Sequence, residues 1–226
     1  MVSSTLILSS AITLFASLTT ALPTRSTPIY PPKTTSANFR LVANVTSNDL
    51  TPSINNYVLT SYHTGAGEAY AVLQPNETVT SGRIFYLNGT ATDIRYNNGN
   101  ILSDEGTPLF PAGLIINPSN SANEQTVSIN AGTGEAGVGL TSFPDPISAL
   151  DFRGQQGYYA CVNELEYGSA VQLLFKSVDQ ETPAGCADVN LLPQCSEGSG
   201  AEHPFGETSE CYEDVAGIDW SYYNTD

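Results

Sequence analysis

Positive charge is what this chain has least of. Its 226 residues hold seven Lys and Arg against 23 Asp and Glu, a formal net charge of −16. No Lys or Arg occurs from Ser177 to Asp226, where eleven of the acids fall. The preceding part carries seven bases and twelve acids, a net of −5. Such a polyanion repels phosphate backbones and anionic bilayers, which argues against nucleic acid and acidic membranes as partners and admits cations or basic proteins. Histidine is nearly absent, with only His63 and His203. Cysteine is confined to Cys161, Cys186, Cys195 and Cys211, widely spaced and without a C-x-x-C, which argues against a zinc site. No G-x-S-x-G elbow is present. Beyond the N-terminus no segment offers the ~20 apolar residues of a membrane span, and none shows convincing helical periodicity.

The one sustained apolar run is at the start. No charged side chain precedes Arg25, and the stretch from Leu6 to Leu18, diluted by Ser and Thr, leads into Thr19-Thr20-Ala21. This predicts a signal peptide over 1–21, cleaved after Ala21, because Ser and Thr interrupt the run too often for an anchor. Secretion changes how other residues read. Asn44-Val45-Thr46, Asn76-Glu77-Thr78 and Asn88-Gly89-Thr90 become N-glycosylation sites, while Asn117-Pro118-Ser119 is excluded by its proline. An even cysteine count in an oxidising compartment predicts two disulfides. Of three open pairings, Cys161–Cys186 with Cys195–Cys211 is favoured; the first closes a loop of about 26 residues, worth roughly 3 to 4 kcal/mol.

Residues 22–37 hold Pro23, Pro28, Pro31 and Pro32 among Ser and Thr, an extended and poorly ordered lead-in open to O-linked sugars. "NFRLVANVT" (38–46) then alternates as a half-buried strand. "NNYVLTSYHT" and "AYAVLQ" flank "GAGE" as a hairpin, and "GRIFYL" and "TATDIRY" flank Asn88-Gly89, a strong hairpin signal. "PLFPAGLIIN", "EQTVSIN", "GVGLTSF", "GYYACVNELEYG", "SAVQLLFKSV" and "CADVNLL" complete about ten short strands. Strands every 8–12 residues with Gly, Asn and Pro between them predict an all-β fold, an antiparallel β-sandwich over 38–195. Residues 196–226 read as an acidic, flexible tail, tethered at Cys211, with Trp220, Tyr222 and Tyr223 available to pack back.

"NAGTGEAGVGL" (130–140) matches G-x-G-x-x-G at Gly132, Gly134 and Gly137. A dinucleotide loop needs a helix directly after it, whose N-terminus meets the pyrophosphate. Here a β-type run and two prolines follow, so the glycines read as a turn between strands. "HTGAGEAYAV" carries the same G-x-G-E-A in another hairpin.

Other chemistry is thin. A hydrolase triad would rest on His63, with no acid–His–Ser pattern around it. Glycoside hydrolysis needs paired carboxyls, for which Glu164 and Glu166 on one strand, Asp104, Glu105, Asp145 and Asp151 are the candidates. Glu207, Glu210, Glu213, Asp214 and Asp219 offer oxygen ligands without a calcium-loop pattern. Tyr57, Tyr62, Tyr70, Tyr86, Tyr96, Tyr158, Tyr159 and Tyr167 lie in or beside strands and supply either core edges or a sugar-stacking face.

Together, "FRLVANVT", "LTPSINNYVLTSYHTGAGEAYAVL", "GRIFYLNGT" and "GYYACVNELEYG…VQLLFKSVDQETPAGCADVNLLPQC" resemble a family of small secreted fungal proteins built on a domain of unknown function. The resemblance covers about residues 38–195. The "ACV…GC" layout at Cys161 and Cys186 is also distantly similar to phialide-type fungal cell wall proteins. It implies a β-sandwich and supports the Cys161–Cys186 pairing, and it supplies no catalytic residue. The reading is therefore a secreted, glycosylated, non-catalytic protein of the cell wall or cell surface, without a cofactor, a metal or a membrane span. The alternative is an extracellular module that binds glycan or a host protein, and the third is an unrecognised hydrolase.

Overall fold

A computed structural model describes residues 30–78, 81–142 and 145–223. The signal peptide and cleavage site expected over 1–21 lie outside the described residues. Alternation makes β2 (Asn38–Ser47) a strand: Phe39, Leu41 and Ala43 turn inward and are fully buried, with half-buried Arg40 between them on the opposite face. β3 (Val58–Gly65) and β4 (Glu68–Gln74) form the hairpin expected around "GAGE", with Leu59 opposite Leu73 and Tyr62 opposite Tyr70. The chain continues through β5 (Phe85–Asn88), a short helix α1 (Ala91–Arg95), β6 (Asn100–Glu105), β7 (Phe110–Ile116) and β8 (Gln125–Ala131). Then come β9 (Val138–Leu140), β10 (Leu150–Phe152), β11 (Tyr158–Leu165), β12 (Gly168–Phe175), β13 (Cys186–Ser196), β14 (Gly206–Glu207) and β15 (Ser209–Cys211). A 3-10 turn, Trp220–Tyr222, closes the described chain.

The fold is all-β and its strand pairings are antiparallel, as the strand spacing predicts. Eleven strands share one hydrogen-bonded sheet in the order β11-β13-β2-β3-β4-β12-β8-β7-β6-β5-β14. Additional pairings β11–β12 and β2–β5 join strands distant in that order, so the sheet turns back on itself around one core. Phe39, Leu59, Phe85, Ile101, Leu114, Ile129, Tyr158 and Leu191 meet there from eight strands.

Asn88-Gly89 does not form the expected hairpin. "ATDIR" is the helix α1, because Thr90 and Asp93 make a reciprocal cap: Asp93 N–H donates to Thr90 Oγ1 at 3.2 Å, and Thr90 N–H donates to the Asp93 carboxylate at 2.9 Å. The next strand to pair with β5 is β6, on the far side of that helix.

The glycine run is the turn from β8 to β9. Gly132, Gly134 and Gly137 all have positive φ (122°, 69° and 92°). Gly134 lies so close to Gly113 that a Cβ on Gly113 would stand 2.3 Å from its backbone. The N–H groups of Gly132, Glu135 and Gly137 donate to the carbonyls of Pro111, Leu114 and Gly99. Three of the N–H groups that a phosphate could use are thus already engaged. The two G-x-G-E-A loops adjoin: Ala131 N–H donates to Gly67 O at 2.8 Å, and Ala69 N–H to Asn130 Oδ1 at 3.1 Å.

The flexible tail expected over 196–226 needs correction, and so does the described part of the lead-in. β1 (Thr34–Ser36) pairs with β15, residue for residue, and Lys33 Nζ meets Glu210 at 2.5 Å. Tyr212, Val215 and Trp220 are buried against Val42, Val58 and Leu192 on the outer face of the sheet. Trp220 Nε1–H donates to Val215 O at 2.9 Å. The averaged acidity of the segment hides a few large apolar groups, placed so that each finds a partner once Cys195–Cys211 brings them in.

Candidate functional site

The acidic and histidine candidates separate into two places. On β6, Asp104 accepts from His203 Nε2 at 3.0 and 3.1 Å and also from Ser199 Oγ. His203 stacks on Tyr86 with 3.6 Å between ring centroids. Burial, followed by the Asp104 charge, pushes the Tyr86 hydroxyl up to about 12. The arrangement is not a triad. Serine and histidine both spend their bonds on one carboxylate, so neither activates the other. It fastens residues 199–203 to the sheet, and the histidine involved is the one sequence reasoning set aside. His63 is exposed on β3 opposite Ala69. Glu105 pairs with Arg83 at 3.4 Å.

Asp145 and Asp151 line one cleft of 310 Å³ with Asn97, Thr141 and Gln156. Asp151 is buried on β10; its Oδ2 accepts from Asn97 Nδ2 at 3.0 Å and Gly154 N–H at 2.8 Å, which holds the turn after that strand. Its Oδ1 has no hydrogen bond. Glu164 is exposed on β11, and Glu166 lies in the turn that follows, so the two do not share a strand. Among the tail acids Glu210 is held by Lys33, while Asp214 and Asp219 bond to nearby backbone N–H groups. No cluster of three or more metal-ligating side chains occurs among the described residues.

The tyrosines divide by depth. Tyr158 and Tyr159 are fully buried and Tyr86 nearly so; Tyr57 and Tyr70 are half-buried. Burial, then the charges of Asp151 and Glu135, holds the Tyr158 hydroxyl far above its ordinary range. Tyr62 and Tyr167 differ from these. Their rings stack at 6.3 Å and 28°, and Tyr167 is 67% exposed. The Tyr62 hydroxyl accepts from Tyr167 N–H at 2.5 Å and donates to Gly168 O at 3.4 Å. It thereby pins the β11–β12 turn against the β3–β4 hairpin. Tyr70 stands directly across from Tyr62. The result is an exposed aromatic patch with one ring fixed by hydrogen bonds.

Residues 36–195 match the family model described as "Domain of unknown function (DUF7907)". The chain belongs to this family. It is also 37% identical over 216 residues to "Antigenic protein SchS34" of the fungus Stachybotrys chartarum, covering 87% of this chain and 95% of that protein. No solved structure matches. The DUF7907 match holds both β3–β4 and β11–β12, hence the whole tyrosine patch, and it ends at Cys195.

Both favoured disulfides are formed. Cys161–Cys186 joins β11 to β13 within the DUF7907 segment, and Cys195–Cys211 reaches from its end to β15. The three sequons are placed unequally. Asn44 is buried on β2, 6% exposed. Asn88 is half-buried on β5, its Nδ2 donating to Asn100 at 2.9 Å. Asn76 is exposed in the loop after β4. Peptide mapping of protein secreted from a fungal host is expected to find sugar at Asn76 and none at Asn44. An occupied Asn44 would mean that β2 is not buried as described. Among the described residues no helix is long and apolar enough to cross a membrane.

Proposed function

We propose that the protein is a secreted, non-catalytic glycoprotein of the fungal cell wall or cell surface that attaches to neutral wall polysaccharide through Tyr62, Tyr70 and Tyr167. The carrying observation is the Tyr62–Tyr167 stack, in which two hydrogen bonds fix the Tyr62 ring and Tyr167 lies exposed against it. A fixed aromatic ring loses little entropy when the C–H face of a pyranose settles on it. The net charge of −16 favours an uncharged polymer over an acidic one. Two disulfides suit an oxidising compartment. A relative named as an antigen suits export as well, and the distant likeness of the "ACV…GC" layout to phialide-type wall proteins leans towards the wall. The absence of catalysis is supported by Asp104, which holds Ser199 and His203 in a contact between chain segments.

The test is retention on insoluble chitin, β-glucan and whole fungal wall. Tyr167→Ala is expected to reduce retention on the preferred polymer about tenfold, the loss of ~1.4 kcal/mol of ring contact, with an unchanged melting temperature because the side chain is mostly exposed. Equal retention of Tyr167→Ala and the native protein would reject the tyrosine face. Retention abolished by EDTA would move the contact to the acidic segments.

A further inference from the structure

A cleft of 640 Å³ lies beside the Asn76 loop. Asn76 and Glu77 stand in its lining, with Arg40, Gln194, Glu197 and Ile84. Arg40 is the unusual member. Lys33, Arg83, Arg153 and Lys176 each hold a carboxylate and Arg95 lies over the Tyr96 ring, whereas Arg40 forms no ion pair among the described residues, although two glutamates line the same cleft. Its Nε is buried without a hydrogen bond. Two residues along β2, on the same face of the strand but not among the residues that line the cleft, Asn38 Oδ1 is buried without one too. A buried donor and a buried acceptor left open together are costly unless something outside the polypeptide fills them.

We infer that this cleft seats the first sugar of an N-linked glycan on Asn76, with Arg40 donating to that sugar. The inference rests on the reading of the chain as a secreted glycoprotein. Attachment replaces one hydrogen of Asn76 Nδ2 by the sugar C1, a lipid diphosphate oligosaccharide being the donor and the lipid diphosphate leaving. The linking sugar is a 2-acetamido pyranose. Its carbonyl and ring hydroxyls accept from a guanidinium, and its apolar face suits Ile84 and the adjoining Cys195. Its neutrality fits a cleft in which Arg40 forms no ion pair among the described residues. Of the three sequons only Asn76 lines this cleft.

The experiment uses the full chain secreted from a fungal host in three forms. These are the native glycoprotein, the same protein trimmed under native conditions to a single sugar, and Asn76→Gln. Mass spectrometry reads occupancy and calorimetry reads melting. The trimmed form is expected to melt with the native one, and Asn76→Gln about 3 °C or more below both. Arg40→Gln is expected to lower the native protein by a similar amount and to add nothing to Asn76→Gln. A protein without sugar at any of the three sequons would overturn the glycoprotein reading and this inference with it, and one empty only at Asn76 would overturn the inference alone. An occupied Asn76 whose trimmed form melts like Asn76→Gln, or whose removal changes nothing, would overturn the inference alone. The trimming arm needs no substitution, so it decides even if an Arg40 variant folds badly.

Discussion

Trp220→Ala is expected to cost about 3 to 5 kcal/mol of stability, the usual range for deleting a large buried aromatic. Trp220 is 7% exposed and lies more than twenty residues past the end of the family match. Its indole packs edge-on against Tyr212, with centroids 4.9 Å apart. It also covers Val42, Val58 and Leu192, and donates to Val215 O. Removing it uncovers apolar surface on three strands, β2, β3 and β13, and alanine cannot supply the lost donor. For a protein of this size the melting temperature should fall by roughly 10 °C, at 2 to 4 °C per kcal/mol. Denaturant titration checks the figure. A loss below about 0.5 kcal/mol, within the range of a surface substitution, would show that the C-terminal segment frays independently of the sheet.

Removing Cys161–Cys186 as a pair of alanines should cost a similar amount. The bridge spans 25 residues of sequence, for which loop-closure entropy gives about 3 to 4 kcal/mol. The cysteines also sit with Tyr159 and Leu174 in a small buried cluster, so packing is lost as well. A guanidinium midpoint compared between native and double-alanine proteins reads the sum. Cys195–Cys211 spans 16 residues and should contribute slightly less through the chain term. If the double-alanine protein unfolds at the native midpoint, the loop from β11 to β13 is already constrained in the unfolded chain.

Much of the fold was legible because many strands are half-buried and therefore alternate. β2 shows its inward set as Phe39, Leu41 and Ala43, and β3–β4 shows its turn as "GAGE". β6 escaped detection because Ile101, Leu102 and Ser103 are buried in succession, and the inward polar Ser103 is matched by Arg83 at 3.1 Å. At Asn88-Gly89 a local turn signal competed with a local cap, and the cap won. The contacts at the site were less readable still. Tyr62 and Tyr167 lie 105 residues apart, and Asp104 and His203 lie 99 apart. No periodicity connects such pairs; only the strand order places them together. The compositional reading of the tail failed for a related reason, since acidity describes its surface residues while Tyr212, Val215 and Trp220 decide its position.

The way the sheet returns on itself bears on how the protein behaves when crowded. An open sheet offers a row of unused N–H and C=O groups at each margin, a template on which another molecule's strand can add. Here the two ends of the strand order are β11, which bonds on both sides through β13 and β12, and β14, only two residues long. A protein built this way gives its neighbours almost no margin to copy. It can be packed densely and remain a population of separate molecules.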